Sequence, residues 1–190
     1  MGGMQAIEWA VRHPLFVDKV VSIAGSPRVG PFDRLMWTAM LDLIEDGRRA
    51  GTPVDTVWSR LAHLEMLFLQ TPVGVNARGV DSVTSDVAAN SRQYRRIWDL
   101  EDYAAQLRAI RRYDLAPTHG NGLRFAAAAV RARMLAVYSW DDHMVPADPI
   151  ADFAHLTHAD TQSVRSTRGH AMLFCERTRV GAVVRAFLAQ

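Results

Sequence analysis

Polar side chains follow two runs of residues that are predicted as strands in the last third of the sequence. The pair Asp141 and Asp142 comes after the run Met134–Tyr138, and His170 comes after the run Thr161–Ser166. The carboxyl ends of parallel strands meet at one edge of a sheet, where α/β proteins collect their functional groups. A carboxylate that holds an imidazole in one tautomer prepares it to act as a general base. The pattern therefore predicts that an aspartate and His170 act together in acid–base chemistry.

The elements that must position these residues alternate between strand and helix patterns. Short runs rich in β-branched residues predict strands, and apolar residues at helical spacing predict helices. The predicted strands are Val20–Gly25, Met134–Tyr138 and Thr161–Ser166, and the predicted helices are Met4–His13, Pro149–Leu156 and Ala171–Leu188. Such alternation predicts an α/β fold with a mostly parallel sheet. Because parallel strands are buried on both faces, we expect these three to be the second half of a larger sheet.

A long helical block separates the first predicted strand from the second. Helical spacing continues through Phe32–Ala50, Val54–Leu69 and Ser82–Arg112, with prolines and glycines at the breaks. A run of helices inside an α/β pattern is typical of an insertion that covers the core. We therefore predict a partial α/β core from residues 1–30 and 113–190, and a helical lid from residues 31–112.

The amino terminus has the pattern that follows a catalytic serine in a strand-to-helix turn. Such a turn reads Gly-x-Ser-x-Gly, and it needs small residues because strand and helix approach each other closely. The stretch Met1-Gly2-Gly3-Met4 leads directly into a helix and matches the downstream half of this turn. The position expected to carry the serine lies immediately before Met1. An acid and a histidine then follow in the chain order of a hydrolase triad.

Five segments carry motifs that belong together. They are Met1–Ala10, Ile23–Arg28, Asp102-Tyr103 with Tyr113–Ala116, Asp142–Pro146 and Gly169-His170. In this order they resemble the homoserine O-acetyltransferase-like α/β-hydrolases, whose serine motif is Gly-x-Ser-Met-Gly-Gly-Met-Gln. The family's acid stands four residues before a proline, which selects Asp142 over Asp141. The resemblance covers essentially the whole chain and implies the C-terminal half of an α/β-hydrolase fold.

The resemblance implies a role for each of four residues. His170 would deprotonate the serine and later protonate the leaving group, while Asp142 would orient the ring. The backbone N–H of Met1 would be one donor of the oxyanion hole, and Arg28 would bind a carboxylate of the acceptor. The partners would be a small-molecule acyl donor, with acyl-CoA as a co-substrate, and a hydroxyl acceptor such as homoserine. No resident cofactor or metal is implied.

Two departures from the family's motifs lie beside the reactive groups. The transferases continue the histidine motif with Asp-Ala-Phe-Leu, whereas this chain has Ala-Met-Leu-Phe at positions 171–174. The family usually has x-Leu-Phe or x-Leu-Tyr after its catalytic acid, whereas this chain has His-Met-Val at positions 143–145. Hydrolysis of an ester is therefore as strongly expected as transfer of an acetyl group to homoserine.

Other interpretations of these residues stay open at the level of sequence. One alternative is that Asp142 and His170 are surface residues with no functional relation to each other. His143 beside two aspartates suggests a metal site, although a metal needs three or four converging ligands. The chain is also compatible with a catalytically inactive truncated protein, a partner subunit or a binding module. An unpaired apolar strand edge predicts association, either with a second copy of the chain in a homodimer or with a missing N-terminal half.

Composition excludes several classes of protein. The 190 residues are 49% hydrophobic and 22% charged with a net charge of +2, which is ordinary for a globular domain. The arginines are dispersed rather than clustered on one face, so nucleic-acid binding is not expected. One cysteine, Cys175, allows no intrachain disulfide, and no apolar run reaches the ~20 residues of a membrane span. Without a signal-peptide pattern, the sequence predicts a cytoplasmic protein.

Overall fold

Three parallel strands form the sheet of the computed structural model, which describes residues 1–116 and 122–190. The strands are β1 (Lys19–Ile23), β2 (Arg133–Tyr138) and β3 (Asp160–Ser163), and their order in the sheet is their order in the chain. Val21 of β1 pairs with Leu135 of β2, and Ala136 pairs with Thr161 of β3. The predicted parallel sheet is confirmed.

The described residues form ten helices around this sheet. In chain order they are α1 (Gly2–Arg12), α2 (Pro31–Arg49), α3 (Val54–Leu69), α4 (Pro72–Asn76), α5 (Val80–Ile97), α6 (Leu100–Arg111), α7 (Leu123–Ala129), α8 (Asp148–Thr157), α9 (Met172–Cys175) and α10 (Arg177–Leu188). A 3₁₀ turn, Gly169–Ala171, leads into α9 and is called the histidine turn below. None of the described helices is both long and apolar enough to cross a bilayer.

Strand β2 is the centre of the core, because both of its faces are covered. Ala136 packs with Ile7 of α1 and Phe153 of α8 on one face. Val137, the next residue, packs with Phe187 of α10 on the opposite face. Successive side chains of a strand point to opposite faces, so a continuous apolar run is what a doubly covered strand requires. Strand β1, in contrast, pairs on one side only within the described part of the chain.

Helices α2, α3, α5 and α6 make a second apolar cluster, which rests on the loops at the carboxyl ends of the strands. Its most deeply buried members include Met36, Met40, Trp58, Leu61 and Leu107. The same cluster contains Met144 and Val145 from the loop after β2. The helical block therefore packs directly on the part of the core where polar groups were expected.

Two predicted elements differ from the observed ones by more than two residues. The third strand was predicted over Thr161–Ser166 but ends at Ser163, because the chain turns and the amide of Ser166 donates to the Asp141 carboxylate at 3.3 Å. The predicted closing helix Ala171–Leu188 is interrupted at Glu176. No helix breaker stands there. The interruption accompanies the burial of Met172, which at 0% exposure anchors α9 in the core.

Helix α1 and strand β1 meet at very short range. A Cβ atom on Gly3 would lie 2.7 Å from the carbonyl oxygen of Ile23 and 2.8 Å from the Cα of Gly25. The hydroxyl of Ser22 donates to the carbonyl of Gly3 at 3.1 Å and ties the two elements together. The predicted need for a small residue at the start of α1 is confirmed.

Candidate active site

Asp142 lies in the loop that follows β2, and the loop itself holds its carboxylate. Oδ1 accepts backbone hydrogen bonds from Met144 at 2.9 Å and from Val145 at 2.8 Å. An aspartate reaches amides two and three residues ahead when the chain makes a tight turn, so these bonds are local in origin. The side chain is 1% exposed, and the two amide donors stabilise its charge in place of water. This arrangement leaves Oδ2 available to another donor.

The histidine turn brings His170 to that second oxygen. Nδ1 of His170 lies 2.7 Å from Oδ2 of Asp142, so the ring N–H donates to the carboxylate and fixes the tautomer. Gly169 makes the approach possible with a left-handed φ of 54°. A Cβ there would lie 3.1 Å from the carbonyl oxygen of Asp141 and 3.2 Å from that of Leu69. The other ring nitrogen, Nε2, makes no hydrogen bond with the described residues.

The neighbouring Asp141 has a different task. Its carboxylate lies 3.2 Å from the guanidinium of Arg165 and accepts the backbone N–H of Ser166 at 3.3 Å. These contacts anchor the segment after β3 to the loop after β2, and so they support the histidine turn from outside. The motif spacing selected Asp142 over Asp141, and the structure brings Asp142, not Asp141, to His170.

Met1 stands immediately before the first residue of α1. Met4, one turn later, packs in the same apolar cluster as Met144 and Val145, whose amides hold Asp142. The carbonyl of Met1 already accepts the first helical hydrogen bond, from Gln5 at 3.0 Å. Within residues 1–116 and 122–190, Met1 makes no hydrogen bond to Asp142 or His170. Its oxyanion role therefore stays a prediction.

Arg28 makes no hydrogen bond or ion pair to Asp142 or His170 within residues 1–116 and 122–190. The backbone of Val29 donates to Tyr113 at 3.0 Å, and Arg28 forms an isolated antiparallel bridge with Asp114. Two of the family-like segments, from opposite ends of the helical block, thus lie against each other. The guanidinium of Arg28 is exposed and forms no ion pair with the described residues, so its role as a carboxylate ligand also stays a prediction.

Sequence reasoning missed two buried carboxyl groups near the pair. Asp33, at the first turn of α2, accepts the amide of Gly30 at 3.2 Å; burial raises its pKa, and the charge of Asp142 raises it further. Glu65, in the middle of α3, is 8% exposed, and burial raises its pKa to about 7. A signal for Glu65 existed, because it occupies an apolar position four residues after Leu61 on the buried face of its helix.

The arrangement of Asp142 and His170 is that of an oriented general base. An imidazole whose Nδ1–H is held by a buried carboxylate can accept a proton at Nε2, and the carboxylate then stabilises the charged ring. The described residues contain no cluster of three or more His, Cys, Asp or Glu side chains placed to hold a metal ion. They also place no hydroxyl or thiol in hydrogen-bond contact with His170.

The chain is similar in sequence and in structure to several known proteins. No protein-family model matches the chain. The homoserine O-acetyltransferase of Thermus thermophilus is 26% identical over 196 residues, which cover 99% of this chain and 51% of that protein. The ethyl acetate hydrolase of Pseudomonas veronii is 25% identical over 187 residues, which cover 92% of this chain and 54% of that protein. The crystal structure of the Staphylococcus aureus homoserine O-acetyltransferase covers all of the chain (100%) with 56% of its own length, at a TM-score of 0.80 and 18% identity.

The chain has the α/β-hydrolase fold. Its resemblance to homoserine O-acetyltransferases, first indicated by the opening motif, is confirmed over nearly the whole of this chain. The relatives include both acyltransferases and an ester hydrolase. The chain spans about half the length of the curated relatives that it matches.

Proposed function

We propose that this chain supplies the acid–base half of an acyl-transfer active site of the homoserine O-acetyltransferase-like kind. The observation that supports the proposal is the 2.7 Å contact between Nδ1 of His170 and the buried Oδ2 of Asp142. In an α/β-hydrolase, a pair with this geometry serves a serine on a strand-to-helix turn. The serine would stand immediately before Met1, at the point where α1 begins.

Each residue of the proposed site has a defined task. Nε2 of His170 takes the proton of the serine hydroxyl as the oxygen attacks the acyl carbon, and it returns the proton to the leaving group. Asp142 keeps the ring in the required tautomer and stabilises the imidazolium. The amide of Met1 donates to the oxyanion as charge develops on the carbonyl oxygen. The packing of Met4 against the aspartate loop supports this placement of the first amide.

The proposed substrates are a small acetyl ester or thioester, such as acyl-CoA, and a hydroxyl acceptor. One relative is named as a homoserine O-acetyltransferase and another as an ethyl acetate hydrolase. We therefore propose both an alcohol and water as acceptors. Ala171 stands where the transferases have a charged residue, which favours the hydrolytic alternative. Arg28 is the proposed ligand for an acceptor carboxylate. We also propose a cytoplasmic location, in keeping with a chain that has one cysteine, which is exposed.

The test begins with the coding sequence upstream of Met1. If in-frame codons for Gly-x-Ser stand there, the protein extended to include them should become acetylated on that serine when it is mixed with p-nitrophenyl acetate. Mass spectrometry of the intact protein and of its peptides measures the acetyl group. His170→Ala should abolish the acetylation, whereas His155→Ala, on an exposed histidine of α8, should not. Acetylation that survives His170→Ala would contradict the proposal.

A catalytically inactive subunit or binding module is the second candidate. It is favoured by the finding that no hydroxyl or thiol among the described residues contacts the ring of His170. In that case residues 1–190 should hydrolyse no p-nitrophenyl acetate and take up no fluorophosphonate label, and the upstream sequence should carry no serine turn. A stable complex with a separate protein, seen by light scattering, would then replace the acyl-enzyme as the functional readout.

A further inference from the structure

Glu65 is a buried carboxyl group that the proposed mechanism does not use. It is 8% exposed, and within residues 1–116 and 122–190 no lysine or arginine forms an ion pair with it. Instead the hydroxyl of Tyr103 donates to its Oε1 at 3.4 Å, and Tyr94 is a second hydrogen-bond partner. The two tyrosine rings stack on each other at 6.2 Å, and Trp58 packs against both. A carboxyl group placed in this aromatic site needs a reason, because burial without a cation is costly.

The face of α3 that carries Glu65 rests on the histidine turn. The carbonyl of Leu69 lies 3.2 Å from the Cβ position of Gly169, and Glu65 is one helical turn before Leu69 on the same face. Just beyond α3, the hydroxyl of Thr71 donates to the carbonyl of Thr167 at 2.5 Å. The helix is thus tied to the turn that carries His170, with Glu65 directed along the same side.

Three titratable groups act on Glu65, and each belongs to a different element. They are Tyr94 of α5, Tyr103 of α6 and His170 of the histidine turn. Burial and then the charge of Glu65 raise the pKa of both tyrosines, so they stay neutral donors. The positive charge of His170 opposes burial by lowering the pKa of Glu65. His170 is therefore a basic group that acts on this carboxylate when its ring carries a proton.

We propose that Glu65 is a positioning residue that acts through His170, as a second carboxylate brought to the imidazole by the helical block. Asp142 holds the ring through Nδ1, and Glu65 stabilises the imidazolium through its charge, without a direct hydrogen bond. The imidazolium forms each time His170 holds the serine proton, so this contribution falls on the transition state. This role rests on the proposed function, whereas the electrostatic link between Glu65 and His170 does not.

A purely structural role for Glu65 makes different predictions. A glutamine could also accept hydrogen bonds from Tyr94 and Tyr103, so Glu65→Gln preserves that packing role. What glutamine cannot supply is the negative charge that acts on His170. The carboxylate is present above about pH 7 and is lost as the pH falls through that value, because burial raises the pKa of Glu65 to about 7. Any effect of the Glu65 charge on His170 is therefore expected only above about pH 7.

The first experiment uses residues 1–190 and needs no nucleophile. Glutamate labelled with ¹³C at the carboxyl carbon reports the titration of Glu65 by NMR, with the Glu65→Gln spectrum for assignment. Replacement of His170 by Ala or Gln should raise the Glu65 midpoint by roughly half a pH unit, the size expected for one charge in a partly screened site. His155→Ala should leave the midpoint unchanged. A midpoint that is equal in the parent and both folded His170 variants would overturn the proposal.

The second experiment separates this inference from the proposed function. In a serine-bearing extended protein, Glu65→Gln should lower kcat/KM for p-nitrophenyl acetate roughly threefold at pH 8, the rate equivalent of half a pH unit of coupling, and little at pH 6. Glu65→Asp should restore part of the loss. An equal loss at both pH values would overturn the charge role. An inactive parent would count against the proposed function alone, because the NMR shift tests the Glu65–His170 link by itself.

Discussion

Two adjacent glycines at the start of α1 allow a matched test of how closely the first helix must approach the sheet. A Cβ on Gly3 would lie within 2.9 Å of three backbone atoms of Ile23 and Gly25, whereas a Cβ on Gly2 would meet nothing within 4 Å. Both positions lie in the first turn of the same helix, so Gly→Ala brings a similar gain in helix propensity of up to ~1 kcal/mol. The two variants therefore differ mainly in the clash.

The magnitude of that clash follows from the short distances. Ordinary contacts begin near 3.4 Å, so α1 would have to move by roughly 0.5–0.7 Å from a rigid strand exit, and such overpacking costs about 1–3 kcal/mol. We expect Gly2→Ala to be neutral or stabilising by about 0.5 kcal/mol. Gly3→Ala should be less stable than Gly2→Ala by about 1–3 kcal/mol, the cost of the clash, because the propensity gain is similar in both and cancels in the comparison.

Urea unfolding of the two variants, followed by far-UV circular dichroism, measures this difference. The slope with urea should be the same in both proteins, because the surface exposed on unfolding is nearly identical. Equal midpoints for Gly2→Ala and Gly3→Ala would refute the reasoning, since the close approach of α1 would then not be needed for folding. A lower slope for Gly3→Ala would instead show that α1 detaches before the rest of the core.

Three further predictions concern the aspartate loop, the buried glutamate and the contact between block and core. Asp142→Ala should destabilise the chain by about 2–4 kcal/mol, because two buried amides lose their acceptor, while Asp141→Ala should cost under ~1 kcal/mol in the same urea assay. Burial raises the folded-state pKa of Glu65 to about 7, so its contribution to stability is present below about pH 4.5 and is lost as the pH rises to about 7. The parent should lose about 2–3 kcal/mol between those values, and thermal melts of Glu65→Gln should show a smaller loss. Gly74→Ala should lower the thermal midpoint by several degrees, because its Cβ would lie 2.1 Å from the carbonyl of Thr167, and an unchanged midpoint would mean that α4 can move away freely.

Much of the fold follows from local patterns in the chain. Strand β2 was predicted over Met134–Tyr138, within one residue of its observed start, because a doubly buried strand needs an unbroken apolar run. Helices α2 and α3 were predicted almost to the residue, since glycine and proline mark their limits. The interruption at Glu176 was missed, because it depends on the anchoring of Met172 in the core and on no local breaker.

Local sequence patterns also predict one part of the candidate site and not the rest. The order of acid and histidine after successive strands predicted that Asp142 and His170 would meet, because parallel topology gathers strand ends at one edge. The two amide bonds to Asp142 are also local, since they join residues two and three positions apart. The resemblance implied roles for Met1 and Arg28, but neither residue makes a hydrogen bond or ion pair to Asp142 or His170 in the described part of the chain, so these roles stay predictions.

The sequence by itself determined the alternation of strands and helices, the small residues at the start of α1 and the pairing of Asp142 with His170. These depend on short-range periodicity and on the fixed direction of parallel strands. Only the tertiary structure decided that Glu65 faces the histidine turn, because 105 positions of chain separate Glu65 from His170 and the packing of α3 against that turn bridges them. The charge of a residue can be read from its type, but the charge it acts on depends on which elements pack together.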